Sequence, residues 1–227
     1  MVRQFDRELA DLKMNLLRMA EAAEQAGQHS IASVLNRNSE LAKEVIIGDL
    51  AINDMELEID EQCLKLLALR QPLAKDLRFI TAAMRINADL ERIGDQAVNI
   101  AERALELNQR PPLKLPIDLK KMADIALEMV CTSIEAFVHQ DPQLAVQACQ
   151  RDVEVDTLDD EYINKLLNFM LKDTPAVGRA LHYIIIIRNI ERIADLATNV
   201  AEDIVFFVEG KVIKHRYKDG MLSTQSV

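Results

Sequence analysis

Residues 91–102 read ERIGDQAVNIAE, and residues 191–202 read ERIADLATNVAE. Eight of the twelve positions are identical at an offset of 100: Glu, Arg, Ile, Asp, Ala, Asn, Ala and Glu. Composition alone would give about one match in such a window. Apolar residues recur in both stretches at helical spacing, so each lies on one helix with a buried face. A weaker echo stands upstream, where Asp49-x-x-Ile52-Asn53 answers Asp152-x-x-Val155-Asp156. The chain reads as a tandem duplication of a three-helix unit, most simply two three-helix bundles in line.

Composition agrees with an all-α fold. Hydrophobic residues make up 49% of the 227 positions but aromatics only 4%, with no Trp. Such a core is built from Leu, Ile, Val, Ala and Met, which suits helices packed along their lengths. Six glycines and six prolines are too few for the tight turns of an all-β chain. Apolar stripes predict six helices, near 3–26, 30–70, 73–108, 117–140, 143–172 and 175–209. The second would be about 60 Å long at 1.5 Å per residue. Asp141 before Pro142 and Thr174 before Pro175 read as N-caps followed by proline in the first turn. The expected division is a first unit over 1–110, a proline-rich connector over 111–116, a second unit over 117–210 and a flexible tail over 211–227.

Several function classes fall away. With 27 Lys and Arg against 37 Asp and Glu, the formal charge is −10. A basic surface is what coats nucleic acid, so no nucleic-acid partner is expected. No two glycines lie closer than ten residues, so neither a Walker A loop nor a dinucleotide fingerprint exists. No Ser or Cys sits in a nucleophile motif, and no enzymatic activity is expected. The histidines show no ligand spacing, and the Glu-x-x-His pairs of di-iron bundles are missing. Cys63, Cys131 and Cys149 are far apart and odd in number, which predicts reduced, half-buried thiols in a cytoplasmic protein. The most apolar run, residues 183–187, is far short of a membrane span, so a membrane is reached only through partners.

What remains is a pattern of acids. Glu91, Asp95, Asn99 and Glu102 step by four, four and three, within an arc of about 80°. Glu191, Asp195, Asn199 and Glu202 repeat them. On the second helix Asp49, Asn53, Glu56 and Asp60 fit within about 60°, between two apolar strips, one of them Leu50, Leu57 and Leu64. On the fifth, Asp152, Asp156 and Asp159 follow the same theme. Packed antiparallel, such rows would meet, and like charges that close need protons, basic partners or cations. Oxygen-only ligands favour hard divalent cations, and bridging carboxylates also suit iron. The plain alternative is a set of surface acids relieved by nearby Lys and Arg. The segment from Leu69 through Arg70-Gln71-Pro72 to Asp76-Leu77-Arg78 is a candidate contact surface, or simply a helix start with solvated charges.

The doubled Glu-Arg-Ile-Gly/Ala-Asp-x-x-x-Asn, the Arg-Gln-Pro-x-x-x-Asp-Leu-Arg segment and the opening Phe-Asp-x-Glu-Leu resemble the PhoU family over roughly residues 3 to 215. That resemblance implies a dimerising cytoplasmic helical protein of the bacterial phosphate-specific transport system. It implies a negative regulator of the phosphate-starvation response, an adaptor between a phosphate ABC transporter, through its ATPase, and a sensor histidine kinase. It further implies metal clusters held by Glu91 with Asp95 and Glu191 with Asp195, facing Asp49 with Asn53 and Asp152 with Asp156. The residues themselves add Asn99 and Asn199 to this candidate metal set. The amide of Asn53 leaves the first site one negative charge short of the second. Two rivals stand beside the regulator: a metal-handling carboxylate bundle for iron or other divalent cations, and a purely structural helical spacer.

Overall fold

Amphipathic stripes over the whole chain condense into six long helices in the computed structural model, which describes residues 2–213. They are α1 (Val2–Leu35), α2 (Ser39–Arg70), α3 (Ala74–Asn108), α4 (Leu119–His139), α5 (Pro142–Lys172) and α6 (Val177–Glu209). No strand occurs among the described residues, so the fold is all-α. The expected tail falls, from residue 214 on, outside the described residues, while Ile213 at its start is buried.

Two helix starts differ from the sequence-based expectation. The first break lies at 36–38 rather than 27–29, because α1 runs straight through Gly27. A Cβ on Gly27 would stand 3.0 Å from the Leu127 side chain. This glycine lets α4 approach closely and does not end a helix. The chain turns instead at Arg37, whose φ is 53°, and Asn38 caps α2 by accepting from the N–H groups of Glu40 and Leu41. With 32 residues, α2 is about 48 Å long. Thr174 does not cap α6: residues Thr174–Ala176 form a short 3-10 turn, and α6 starts at Val177 without a side-chain cap. Asp141 does cap α5 as expected, with Pro142 in the first turn.

The duplicated units lie side by side rather than in line. Within each unit consecutive helices run antiparallel. Glu8 meets Arg70 and Asn15 meets Gln62 between α1 and α2, while Asn87 reaches back to Glu56 and Asp60 between α3 and α2. Between units, α3 and α6 are antiparallel too. The Phe79 and Phe207 rings meet edge-on at 5.7 Å, and Arg85 pairs with Asp203 at 2.7 Å near the same end. Arg110 lies against Gly178 at the other end. The midpoint of that register falls at Ile93 and Ile193, equivalent residues of the repeat, both fully buried. An approximate two-fold axis through this point relates the units. Phe137 of α4 joins Phe79 and Phe207 to close one end, so three of the six phenylalanines share one cluster. Cys63 and Cys149 are fully buried rather than half-buried, and burial pushes their thiols up to about 12.

A volume exchange between the units tests this packing. A Cβ on Gly94 would come within 3.0 Å of Ile52 Cδ1. The equivalent positions hold Ala194 and Val155, so one carbon has moved from α2 to α3 with the total kept. Ile52→Val alone should cost about 1 kcal/mol by leaving a gap, and Gly94→Ala alone should crowd Ile52. The double variant should recover roughly 1 kcal/mol relative to the sum, a coupling read by urea denaturation of all four proteins.

Candidate functional site

Antiparallel packing of α2 on α3 brings the first two acid rows together. Asp49 sits over Gly94, where a Cβ would approach its Oδ1 at 3.3 Å. The Asn53 amide nitrogen donates to Asp49 Oδ2 at 3.1 Å. That leaves Asp49 Oδ1 and Asn53 Oδ1 buried with no hydrogen-bond partner. Burial holds the Asp49 carboxyl above its ordinary range, the Asn53 amide opposes this, and the charge of Asp95 adds to it. Glu91 is raised as well, first by burial and then by Asp95, Glu56 and Asp49. These four carboxylates therefore form one electrostatic cluster, with Arg92 at its edge.

The second cluster repeats the first on α5 and α6. Burial and the neighbouring charges of Asp195 and Asp159, with Asp156 adding less, push Glu191 up to about 7. Arg188 opposes them. Its guanidinium donates to Asp159 Oδ2 at 2.7 Å, yet burial still leaves Asp159 raised. Asp152 is almost wholly buried. Asn99 and Asn199 are exposed.

Sequence reasoning missed two partners. Arg188, three residues before Glu191, supplies a cation inside the second cluster. Charge spacing along the helix was the available signal. Asn87 donates to the Glu56 carbonyl at 2.9 Å and to Asp60 Oδ1 at 3.0 Å, which ties up the lower end of the α2 row. Nothing in the repeat marks Asn87, since its counterpart is Ile187.

The donors gathered here are carboxylate and amide oxygens, the set that hard cations prefer. In the first cluster the Asp49 and Asn53 Oδ1 atoms already lack a partner. Among the described residues, no three His, Cys, Asp or Glu side chains yet stand in ligand geometry. The clusters can store protons, attract cations, or receive a basic side chain.

The PhoU domain matches the chain twice, over residues 16–104 and 119–204. The chain belongs to the PhoU family. It is 39% identical over 211 residues to a phosphate-specific transport system accessory protein PhoU homolog of Aquifex aeolicus, covering 93% of this chain and 96% of that one. A Pseudomonas aeruginosa protein of the same description is 35% identical, with 93% and 88% covered. The crystal structure of PhoU from Pseudomonas aeruginosa superposes with a TM-score of 0.87 at 34% identity, over 91% of this chain and all of that one. The phosphate transport system regulatory protein PhoU from Streptococcus pneumoniae gives 0.85 at 27% identity, with 92% and 99% covered. No helix among the described residues is long and apolar enough to cross a membrane.

The raised acids fix the sign of a pH dependence. A carboxyl held above its unfolded value of 4.5 binds its proton more tightly in the folded state, so stability is lost as pH rises from there through about 7. The melting temperature should climb as pH falls from about 8 to about 5.5, and Glu191→Gln should flatten that slope. Asp49, Glu91 and Asp159 act in the same direction, so some slope should survive the substitution. A thermal melt series across pH reads both proteins.

Proposed function

We propose that the chain is a cytoplasmic adaptor of a phosphate-specific transport system and a negative regulator of the phosphate-starvation response. It would couple a phosphate ABC transporter, through the transporter's ATPase, to a sensor histidine kinase, and restrain both when phosphate is plentiful. The observation that carries this reading is the family match in both halves, with relatives named as accessory proteins of that transport system over nine-tenths of the chain. The absence of closely spaced glycines from the sequence argues that any nucleotide hydrolysis belongs to a partner. The chain then acts by binding one state of a partner better than another, as a homodimer in the family manner. A coupling of about 1–3 kcal/mol changes an output roughly 5–150-fold, within reach of a helical surface. Deleting the gene should leave phosphate-starvation genes expressed in high phosphate, and an intact copy should restore repression. Normal repression in the deletion strain, measured by reporter expression, would sink the reading.

A second reading concerns metal, favoured by the orphaned Asp49 and Asn53 oxygens. In the first cluster Asp49, Asn53, Glu91 and Asp95 would hold a hard divalent cation or iron, and in the second Asp152, Asp156, Glu191 and Asp195. Bound there, a cation supplies charge neutralisation. Arg188 already does part of that in the second cluster, so the first is the stronger candidate. Asp95→Ala and Asp49→Ala should each lower bound metal in elemental analysis of protein purified without chelator. Each should also shrink the loss of melting temperature that a chelator causes in the wild type. Equal metal content in all three proteins would favour surface acids alone.

A further inference from the structure

The duplicated unit supplies its own control for what the fold requires. With Asp49 aligned to Asp152, the buried positions of α2 and α5 coincide: Ala42 with Ala145, Val45 with Ala148, Ile52 with Val155, Ile59 with Tyr162 and Cys63 with Leu166. The outer faces agree at only two of four positions. On α2, Ile47, Leu50, Leu57 and Leu64 are 57–70% exposed. The three leucines repeat every seven residues, and Ile47 lies one turn before them, so they form a line about 25 Å long. At the equivalent positions α5 carries Gln150, Val153, Asp160 and Leu167. The fold thus accepts Gln and Asp where α2 has Ile47 and Leu57. An aligned aliphatic strip that folding does not demand marks a contact surface.

Its surroundings say what kind of partner fits. Among the described residues, α2 packs only against α1 and α3, which leaves this face uncovered. Between positions 47 and 64 the helix holds six Asp and Glu and no Lys or Arg. Asp54, Glu58 and Glu61 flank the strip on the outer side, and the Asp49 row flanks it on the other. Two copies of this chain meeting here would set carboxylates against carboxylates, which excludes a stable self-contact. The chain's own residues 214–227 offer only Met221, Leu222 and Val227 as aliphatics, too few for a 25 Å line.

We infer that the α2 strip is a docking surface for an amphipathic helix of another protein, one whose apolar seam is flanked by Lys and Arg. Leu50, Leu57 and Leu64 receive the seam, and the carboxylates on either side pair with its basic flanks. The inference deepens the adaptor reading by assigning its partner surface, and rests on that reading only for the partner's identity. The deletion strain tests the reading, and a direct titration tests the surface, so the two can fail separately.

The probe is a fluorescent synthetic helix of about 18 residues with Leu at helical spacing and Lys elsewhere, compared with a Glu-for-Lys analogue. The full chain should bind the Lys peptide, weaken with added salt, and ignore the Glu peptide. The paired variant Ile47→Gln with Leu57→Asp copies α5 and should melt like the wild type. It should lose roughly tenfold in affinity, even though it adds a negative charge facing a cationic peptide. Should the pair melt early, Ile47→Gln alone is titrated, with a loss of about threefold expected. An affinity changed by less than about twofold overturns the proposal, because the leucines then contribute nothing beyond charge. Sedimentation velocity provides the other arm: a wild-type dimer that dissociates in the variant assigns the strip to a second copy and overturns it as well.

Discussion

The antiparallel packing of α3 on α6 is the constraint on which the other features depend. Each of these helices serves its own unit and also the opposite one, so it must be apolar over most of its circumference. Buried residues on α3 run from Ile80 to Leu107, and on α6 from Ala180 to Phe207. Alanines at 97, 101 and 104 and at 194, 197 and 201 keep those helices thin enough to be packed on several sides. Six of the eleven buried polar side chains lie on these two helices, Asp203 among them with Arg85 as its partner. Carboxylates that face neither core are pushed to the seams where α2 and α5 lie alongside. Glu91 and Glu191 occupy those seams, where burial raises them and neighbouring acids raise them further.

Much of this was legible because helices are periodic. An identity of eight in twelve fixed the duplication, and the four-residue steps of Glu91, Asp95 and Asn99 put them on one face before any packing was known. Asp141 before Pro142 announced a cap that the structure contains. The failures share a cause. Gly27 reads as a breaker only if its neighbour across the bundle is ignored; Leu127 needs the space that a side chain would fill. The in-line arrangement of units failed similarly, since a repeat states that two units are alike but not which faces join. Arg188 and Asn87 act through contacts with α5 and α2, and one-dimensional spacing carries only part of that information. Asn99 and Asn199 share the arc of the acids but lie exposed.

Duplication also separates residues kept for packing from those free to diverge. Where α2 meets α3, the exchange of Ile52 and Gly94 for Val155 and Ala194 preserves volume, as a filled interior requires. Where the clusters form, the exchange is in charge. Asn53 replaces the acid found at Asp156, while the second unit acquires Arg188 against Asp159. Each unit has thus moderated the repulsion among its acids by a different route. The first uses an amide that donates a hydrogen bond to Asp49, and the second uses a full positive charge.

Those two routes have different consequences for what can bind. Arg188 stands 2.7 Å from Asp159 and partly satisfies the second cluster from within the chain. Among the described residues the first cluster has no comparable internal cation. Arg92 lies toward Asp89, at 3.7 Å, and opposes the rise at Glu91 only as the smallest of its named influences. Its remaining demand for positive charge must be met by protons, a metal ion or a partner's basic side chain. The exposed aliphatics of α2 lie on the same helix, immediately beside that unmet charge, whereas α5 replaces the central leucine by Asp160. Unsatisfied charge and a continuous line of exposed aliphatics therefore coincide on α2, whereas on α5 the line is broken by Gln150 and Asp160.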